Sequence, residues 1–150
     1  MGLKQNRVLW IGEELGYSDK LISCGYDVSI FPRAIDALPR ISLTYDAICL
    51  NYYFLSWGDA ERTEQLPKAI LRDIADPLTL GLWIYKKIRE GPNKSSLLYL
   101  LSVGHSRNPE GTLRVQNSLL GDRGPLHLMD LIDVLPSDLS RSLEEELAKK

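Results

Sequence analysis

An α/β domain with a mainly parallel sheet is the fold class that the sequence predicts, on two observations. Runs of consecutive apolar residues stand at positions 8–11, 47–50 and 97–101, and small or polar residues follow each run at once. Continuous apolarity is typical of parallel strands that helices cover on both faces. Segments with helical periodicity lie between and after these runs, and such alternation favours an α/β fold. The 150 residues are expected to form a single domain, since domains commonly hold roughly 100–150 residues.

The three apolar runs are predicted to be central strands, and a further strand is predicted at residues 27–32. That stretch alternates only in part between apolar and polar residues and ends in Pro32. Proline cannot donate a hydrogen bond to a neighbouring strand and is therefore confined largely to edge strands. This strand is accordingly expected at an edge of the sheet.

A helix is predicted where apolar residues recur at intervals of three and four along residues 80–88. A Gly-Pro pair at residues 91–92 ends it. The outer face of this helix is expected to carry the charged residues Lys86, Lys87, Arg89 and Glu90.

Two more helices are predicted near the end of the chain. The second of them covers about residues 138–149 and is supported by favourable Glu-to-Lys pairs four residues apart. The first is indicated by the apolar residues Leu128, Leu131, Ile132 and Leu135.

Two stretches fit the alternation of strands and helices poorly. Residues 52–77 are too many for a simple loop, and an extra helix is predicted within them around residues 66–75. Residues 104–124 are rich in glycine and show weak periodicity, although one helix and one strand are needed there to complete the fold.

Composition excludes several classes of partner and cofactor. The 18 basic residues against 20 acidic ones give a net charge of −2, so a nucleic-acid partner is not expected. No apolar run is long enough to span a membrane. Cys24 and Cys49 stand far apart in apolar surroundings and are expected to be buried free thiols in a reducing cytoplasm. His105 and His127 lack metal-ligand spacing, so neither a metal nor a cofactor is expected.

Polar and small residues follow the central strands, where open parallel sheets bind their ligands. Gly12, Glu13 and Glu14 come after the first central strand, Asn51 ends the second, and Ser102 follows the third. Because the carboxyl ends of parallel strands meet at one edge, these residues are the candidate site.

Five segments, taken in order, resemble the receiver domain of two-component response regulators. In that family the third strand ends in the phosphoacceptor aspartate, the fourth in a switch Ser or Thr, and a Lys-Pro-Phe turn stands near the end. The segments are residues 7–14 (RVLWIGEE), 24–28 (CGYDV), 45–51 (YDAICLN), 81–89 followed by 97–102 (GLWIYKKIR and LLYLLS), and 124–126 (GPL) before a helix.

The resemblance covers about residues 6–135 and implies a flavodoxin-like, receiver-like fold with three layers. About five mainly parallel strands in the order 2-1-3-4-5 are expected, with helices on both faces of the sheet. An insertion at about residues 52–77, holding an extra helix after the third strand, and a C-terminal helix at about residues 138–149 are additions to that plan.

The departures from the family bear on function. Asn51 stands at the position of the phosphoacceptor aspartate, and Gly124 at that of the lysine. Gly12 stands at the first position of the acidic pair that follows the family's first strand. Ser102 matches the switch Ser or Thr. A phosphorylatable receiver needs carboxylates to hold Mg²⁺ and an aspartate to attack phosphorus. A neutral amide is a poor nucleophile, so the resemblance implies a receiver that is not phosphorylated.

The leading hypothesis is therefore a non-enzymatic signalling or regulatory module that acts through protein contacts, with another signalling protein or a second copy of the chain as partner. The alternative is a small-molecule or nucleotide sensor that uses the crevice near Glu13, Asn51 and Ser102. A third hypothesis is an enzyme that uses Glu13 or Glu14 with His105 as general base.

An aromatic run follows the second central strand directly. It is more apolar than a loop normally exposes, so it either folds back as a small lid or presents a surface for a partner. Its large residues are Tyr52, Tyr53, Phe54 and Trp57.

Overall fold

A computed structural model of the chain describes residues 5–12, 16–32, 34–51, 77–102, 117, 119–122 and 124–149. Several predictions fall outside these residues. They are the acidic pair Glu13 and Glu14, the aromatic residues at positions 52–57, the helix at residues 66–75, His105, and most of the stretch 104–124.

The sheet has five strands, all parallel, in the order β2-β1-β3-β4-β5. The predicted α/β class and the flavodoxin-like strand order 2-1-3-4-5 are both confirmed. β2 lies at one edge, as the partial alternation and Pro32 predict. The strands are β1 (Arg7–Ile11), β2 (Asp27–Phe31), β3 (Ala47–Asn51), β4 (Leu97–Ser102) and β5 (Leu126–Asp130).

Helical segments cover both faces of this sheet. Against one face lie α2 (Ala34–Ala37), the 3-10 helix that continues it (Leu38–Ser42), and α3 (Pro77–Glu90), which confirms the helix predicted at residues 80–88. Against the other face lie α1 (Tyr17–Ser23) and α4 (Pro136–Ala148), the predicted C-terminal helix. None of the helices in the described part of the chain is long and apolar enough to cross a membrane.

Strand alternation divides the core into two clusters. Leu9 and Ile48 belong to the cluster beneath α3, whereas Trp10 and Cys49 belong to the cluster beneath α1 and α4. Both faces of the central strands are therefore buried, which explains their continuous apolar sequence. Cys49 is buried as predicted, but Cys24, at the carboxyl-terminal cap of α1, is exposed, contrary to prediction.

The helix predicted on Leu128, Leu131, Ile132 and Leu135 is wrong. Residues 126–130 form β5 and the next three residues form a turn. Ile132 is 52% and Leu135 65% exposed, so the helical spacing does not mark a stripe that faces the core. Pairing with β4 decides the conformation, because it satisfies the backbone of residues 126–130 in the sheet. The last strand therefore follows the stretch 104–124 that was expected to contain it.

Candidate functional site

Three polar side chains are buried at the carboxyl ends of neighbouring strands. Asn51 ends β3, Ser102 ends β4 and Asp130 ends β5, and none of them is more than 8% exposed. Buried polar groups are uncommon enough to need an explanation, and this edge is where open parallel sheets bind ligands. The site therefore includes Asp130, which sequence reasoning missed because a helix, and not the end of a strand, is predicted around this position.

Gly12, at the end of β1, lies against Asn51. Its backbone has a φ of 103°, a conformation that other residues rarely adopt. A Cβ atom at this position would lie 2.8 Å from the Cβ of Asn51 and 3.0 Å from its carbonyl oxygen. The Gly12 amide donates to the carbonyl oxygen of Phe31 at 2.9 Å, which extends the ladder to β2. A carboxylate side chain at position 12 is therefore incompatible with this backbone.

Asn51 and Ser102, both predicted to lie in the candidate site, do not share a face of the sheet. Asn51 is paired with Leu101, while Ser102 is paired with Asp130. Since successive residues of a strand point to opposite faces, Asn51 lies on the α1 and α4 side. Ser102 lies on the α3 side together with Asp130. The described residues thus form two small polar sites at one edge and not one crevice.

Asp130 closes the turn that follows β5. Its Oδ1 accepts a hydrogen bond from the amide of Ile132 at 3.0 Å, the pattern in which an aspartate stabilises a turn two residues ahead. The amide of Leu131 donates to the carbonyl oxygen of Ser102 at 2.7 Å, and that of Asp133 donates to the carbonyl oxygen of Asp130 at 3.0 Å. These bonds hold a negative charge at the end of β5.

Tyr17 joins the start of α1 to the same turn, and sequence reasoning missed it as well. Its hydroxyl group donates to the carbonyl oxygen of Leu131 at 2.8 Å and also contacts that of Val134. Its ring stacks on Trp10 at 6.3 Å. Burial, followed by the negative charges of Asp138 and Asp130, raises the pKa of Tyr17. The hydroxyl therefore remains a neutral donor.

Gly124 does not occupy the position of the family's lysine, which corrects the sequence-based alignment. A lysine that neutralises a phosphoryl group has to lie at the carboxyl edge, whereas Gly124 precedes β5 and lies at the amino edge. The cation beside it is Arg89, whose side chain is 11% exposed and not on the outer face of α3 as expected. A Cβ at Gly124 would lie 2.7 Å from that guanidinium. The close approach of the Arg89 guanidinium therefore explains why glycine stands at position 124.

Arg89 has a structural role at this amino edge. Its Nε donates to Asp122 at 3.0 Å and its Nη1 to the carbonyl oxygens of Asn93 (3.0 Å), Lys94 (3.2 Å) and Ser96 (2.8 Å). Its Nη2 donates to the carbonyl oxygen of Pro125 at 3.0 Å. One side chain thereby fastens the loops that enter β4 and β5, which leaves it no role at the opposite edge.

The Asp122 carboxylate completes this cluster. Burial raises its pKa, but hydrogen bonds from Tyr85, the Gly124 amide and Arg89 outweigh that effect and lower the pKa below its ordinary value. Burial first, and then the contact with Asp122, raises the pKa of Tyr85. Asp122 is therefore ionised and Tyr85 neutral at physiological pH.

The carboxyl edge thus offers an amide, a hydroxyl and a carboxylate. In the part of the chain that the structure describes, no three His, Cys, Asp or Glu side chains come together as a metal site would require. An amide at the end of β3 cannot serve as a phosphoryl acceptor.

Comparisons with protein-family models, with curated proteins and with solved structures gave no match to this chain.

Proposed function

We propose that the chain is a receiver-like signalling module that is not phosphorylated and acts by contact with another protein. The observation that carries the proposal is the relationship of Asn51 and Gly12. Asn51 ends the middle strand of the 2-1-3-4-5 sheet, where the receiver resemblance expects the phosphoacceptor aspartate. The Gly12 backbone, in turn, has no room for the acidic side chain expected at the neighbouring strand end.

The charges around this edge support the same proposal. An amide oxygen is a much weaker nucleophile than a carboxylate and cannot form an acyl phosphate. Asp130, which faces the other side of the sheet from Asn51, uses its Oδ1 to accept a hydrogen bond from the amide of Ile132. Neither Asn51 nor Ser102 carries a charge, so these two strand ends supply no carboxylate to hold Mg²⁺ and no cation to neutralise a transferred phosphoryl group.

Phosphotransfer from acetyl phosphate in the presence of Mg²⁺ tests the proposal. The wild-type chain and the Asn51→Asp variant are incubated with the donor, and intact-mass spectrometry records a gain of one phosphoryl group. We expect no gain in the wild-type chain. The Asn51→Asp variant is a matched control, because it restores the nucleophile while Gly12 and Asp130 remain. We expect no gain there either, or one that disappears within minutes.

Stable incorporation of phosphate by the wild-type chain would refute the proposal.

A thermal-shift screen addresses the rival hypothesis of a small-molecule sensor. A ligand that binds a crevice formed by both Asn51 and Ser102 would lose its stabilising effect in Asn51→Ala and in Ser102→Ala alike. We expect no such ligand, because the two side chains lie on opposite faces of the sheet.

A further inference from the structure

A groove borders the end of β2, and we call it the β2 groove. One side is formed by residues 30–32, and the other by Asp36, Pro39, Arg40 and Leu43 from the helical segments that follow. Its volume is about 630 Å³, within the range of roughly 300–1,000 Å³ found for binding sites. It lies at the carboxyl edge of the sheet, where the Phe31 carbonyl accepts from Gly12.

Arg40 supplies a positive charge to this groove. Its guanidinium carbon lies 5.4 Å from the centre of the Phe31 ring, a stacking arrangement that arginine favours. Among the described residues the guanidinium makes no hydrogen bond or ion pair, whereas Asp36 is already engaged in an interaction of its own. This contact holds the guanidinium over the ring and leaves its N–H donors open to a carboxylate.

The outer wall of the groove is held from inside the protein. Asn93, which is fully buried, donates to the carbonyl oxygens of Ile41 at 3.2 Å and Leu43 at 2.8 Å. The hydroxyl group of Ser42 donates to the carbonyl oxygen of Pro39 at 2.9 Å. The wall therefore has a fixed shape before anything binds, which lowers the entropic cost of binding.

The rim of the groove indicates the kind of occupant. Pro32, Pro39 and Arg40 are exposed and Leu43 is 42% exposed, so within the part of the chain that the structure describes the groove is open. Sites for small ligands usually enclose about 70–90% of the ligand surface. A segment of a protein fits an open groove better, because the rest of its partner can cover the exposed apolar rim.

We propose that the β2 groove binds a segment of a partner protein in which an Asp or Glu side chain stands next to an apolar one. The carboxylate would pair with Arg40, and the apolar side chain would lie between Phe31 and Leu43. This inference deepens the proposed function and rests on it, since it names the surface and the chemistry of the contact.

Selection from a phage-displayed library of short random peptides tests the inference. The wild-type chain is the target, and the selected peptides are then measured against Arg40→Gln, Arg40→Lys and Arg141→Gln. Arg141→Gln is the matched control, because Arg141 is an exposed arginine on α4, on the other side of the sheet. Circular dichroism and thermal melting establish that every variant is folded.

We expect the selected peptides to share an acidic residue beside an apolar one. Binding should fall roughly tenfold in Arg40→Gln, the loss expected for one charge-assisted hydrogen-bonded pair. It should fall less in Arg40→Lys and stay unchanged in Arg141→Gln. Hexanoate, an isolated acid with an apolar tail, should bind far more weakly than the peptides.

Three results would overturn the inference: no shared sequence, a shared basic sequence, or binding that Arg40→Gln leaves intact. Hexanoate binding as tightly as the peptides would point instead to a small-molecule site. The phosphotransfer assay does not involve Arg40. If the chain takes up phosphate and also binds peptides through Arg40, only the proposed function is refuted. If it takes up no phosphate and its peptide binding does not depend on Arg40, only the inference about the groove is refuted.

Discussion

The position that a Cβ atom would take at Gly12 lies 2.8 Å from the Cβ of Asn51. Real Cβ atoms do not approach so closely, and the carbonyl oxygen of Asn51 stands at 3.0 Å on the same side. The ends of β1 and β3 therefore constrain each other: the close approach requires glycine at one position, and a left-handed φ of 103° requires it again. An acidic residue cannot be placed at position 12 without moving β3.

Replacing Gly12 by alanine should destabilise the chain by about 2–4 kcal/mol, the sum of the strain of a left-handed alanine and of overpacking against Asn51. Urea denaturation measures the loss. Gly25→Ala is the matched control, because Gly25 has a φ of 96° but no atom within 4 Å of the added Cβ. It should cost only about 1–2 kcal/mol. Equal losses in the two variants would contradict the close contact.

The central strands could be predicted from the sequence because their residue pattern fits no other secondary structure. Leu9 and Trp10 point to opposite faces of the sheet and are both buried, so the apolar run is unbroken and the pattern has one interpretation. Residues 126–135 are different, because β5 is an edge strand and its flanking turn is exposed. Apolar residues there recur at helical spacing, but Leu128, Ile132 and Leu135 are exposed, and only pairing with β4 identifies the strand.

Gly124→Ala should destabilise the chain by about 1–3 kcal/mol, because the new methyl group would displace the Arg89 guanidinium. The φ of Gly124 is not left-handed, so the cost arises from that contact alone. In an Arg89→Met background the same substitution should cost much less. A double-mutant cycle by urea denaturation should therefore give a coupling energy of about 1 kcal/mol or more.

Gly91→Ala is the control for this cycle, since its nearest neighbour would lie at 3.5 Å, an ordinary contact. It should change stability by no more than about 0.5 kcal/mol in either background. Additive losses for Gly124→Ala and Arg89→Met would show that the glycine is not required by the arginine.

The candidate site was harder to predict than the fold, for two physical reasons. Asn51 and Ser102 were correctly placed at the carboxyl edge, because each ends an unambiguous strand. Whether they share a face depends on the register of the β3 and β4 pairing, which a single sequence does not specify. The roles of Asp130 and Tyr17 could not be predicted because both side chains bond to the backbone. Tyr17 donates to a carbonyl oxygen far along the chain, and Asp130 accepts from an amide of the turn that follows it.

Stability at acid pH should depend on Asp122. Its pKa is lower in the folded chain than in the unfolded one, so the unfolded chain binds a proton more readily. The carboxylate therefore contributes its full stabilisation above its unfolded pKa, and this contribution is lost as the pH falls from about 4 through the folded pKa. Urea denaturation between pH 2 and pH 6 should show a shallower acid limb, with less stability lost as the pH falls, in Asp122→Asn than in the wild-type chain. An unchanged slope would exclude Asp122 as a contributor.

Removing the hydroxyl group of Tyr17 should loosen the turn after β5. Tyr17→Phe keeps the ring against Trp10 but leaves the carbonyl oxygens of Leu131 and Val134 without this donor, at a cost of about 1–2 kcal/mol. Tyr26→Phe is the matched control, because the Tyr26 hydroxyl makes no hydrogen bond within the described residues, and it should cost less than about 0.5 kcal/mol.

Amide hydrogen exchange locates the effect of Tyr17→Phe in the chain. The amides of Leu131, Ile132 and Asp133 form the hydrogen bonds that close this turn, so their exchange should accelerate while that of the central strands changes little. Because the turn holds Asp130 at the end of β5, the variant tests whether α1 positions the charged end of the candidate site. Faster exchange spread evenly over the sheet would mean that Tyr17 stabilises the fold as a whole and does not position that turn.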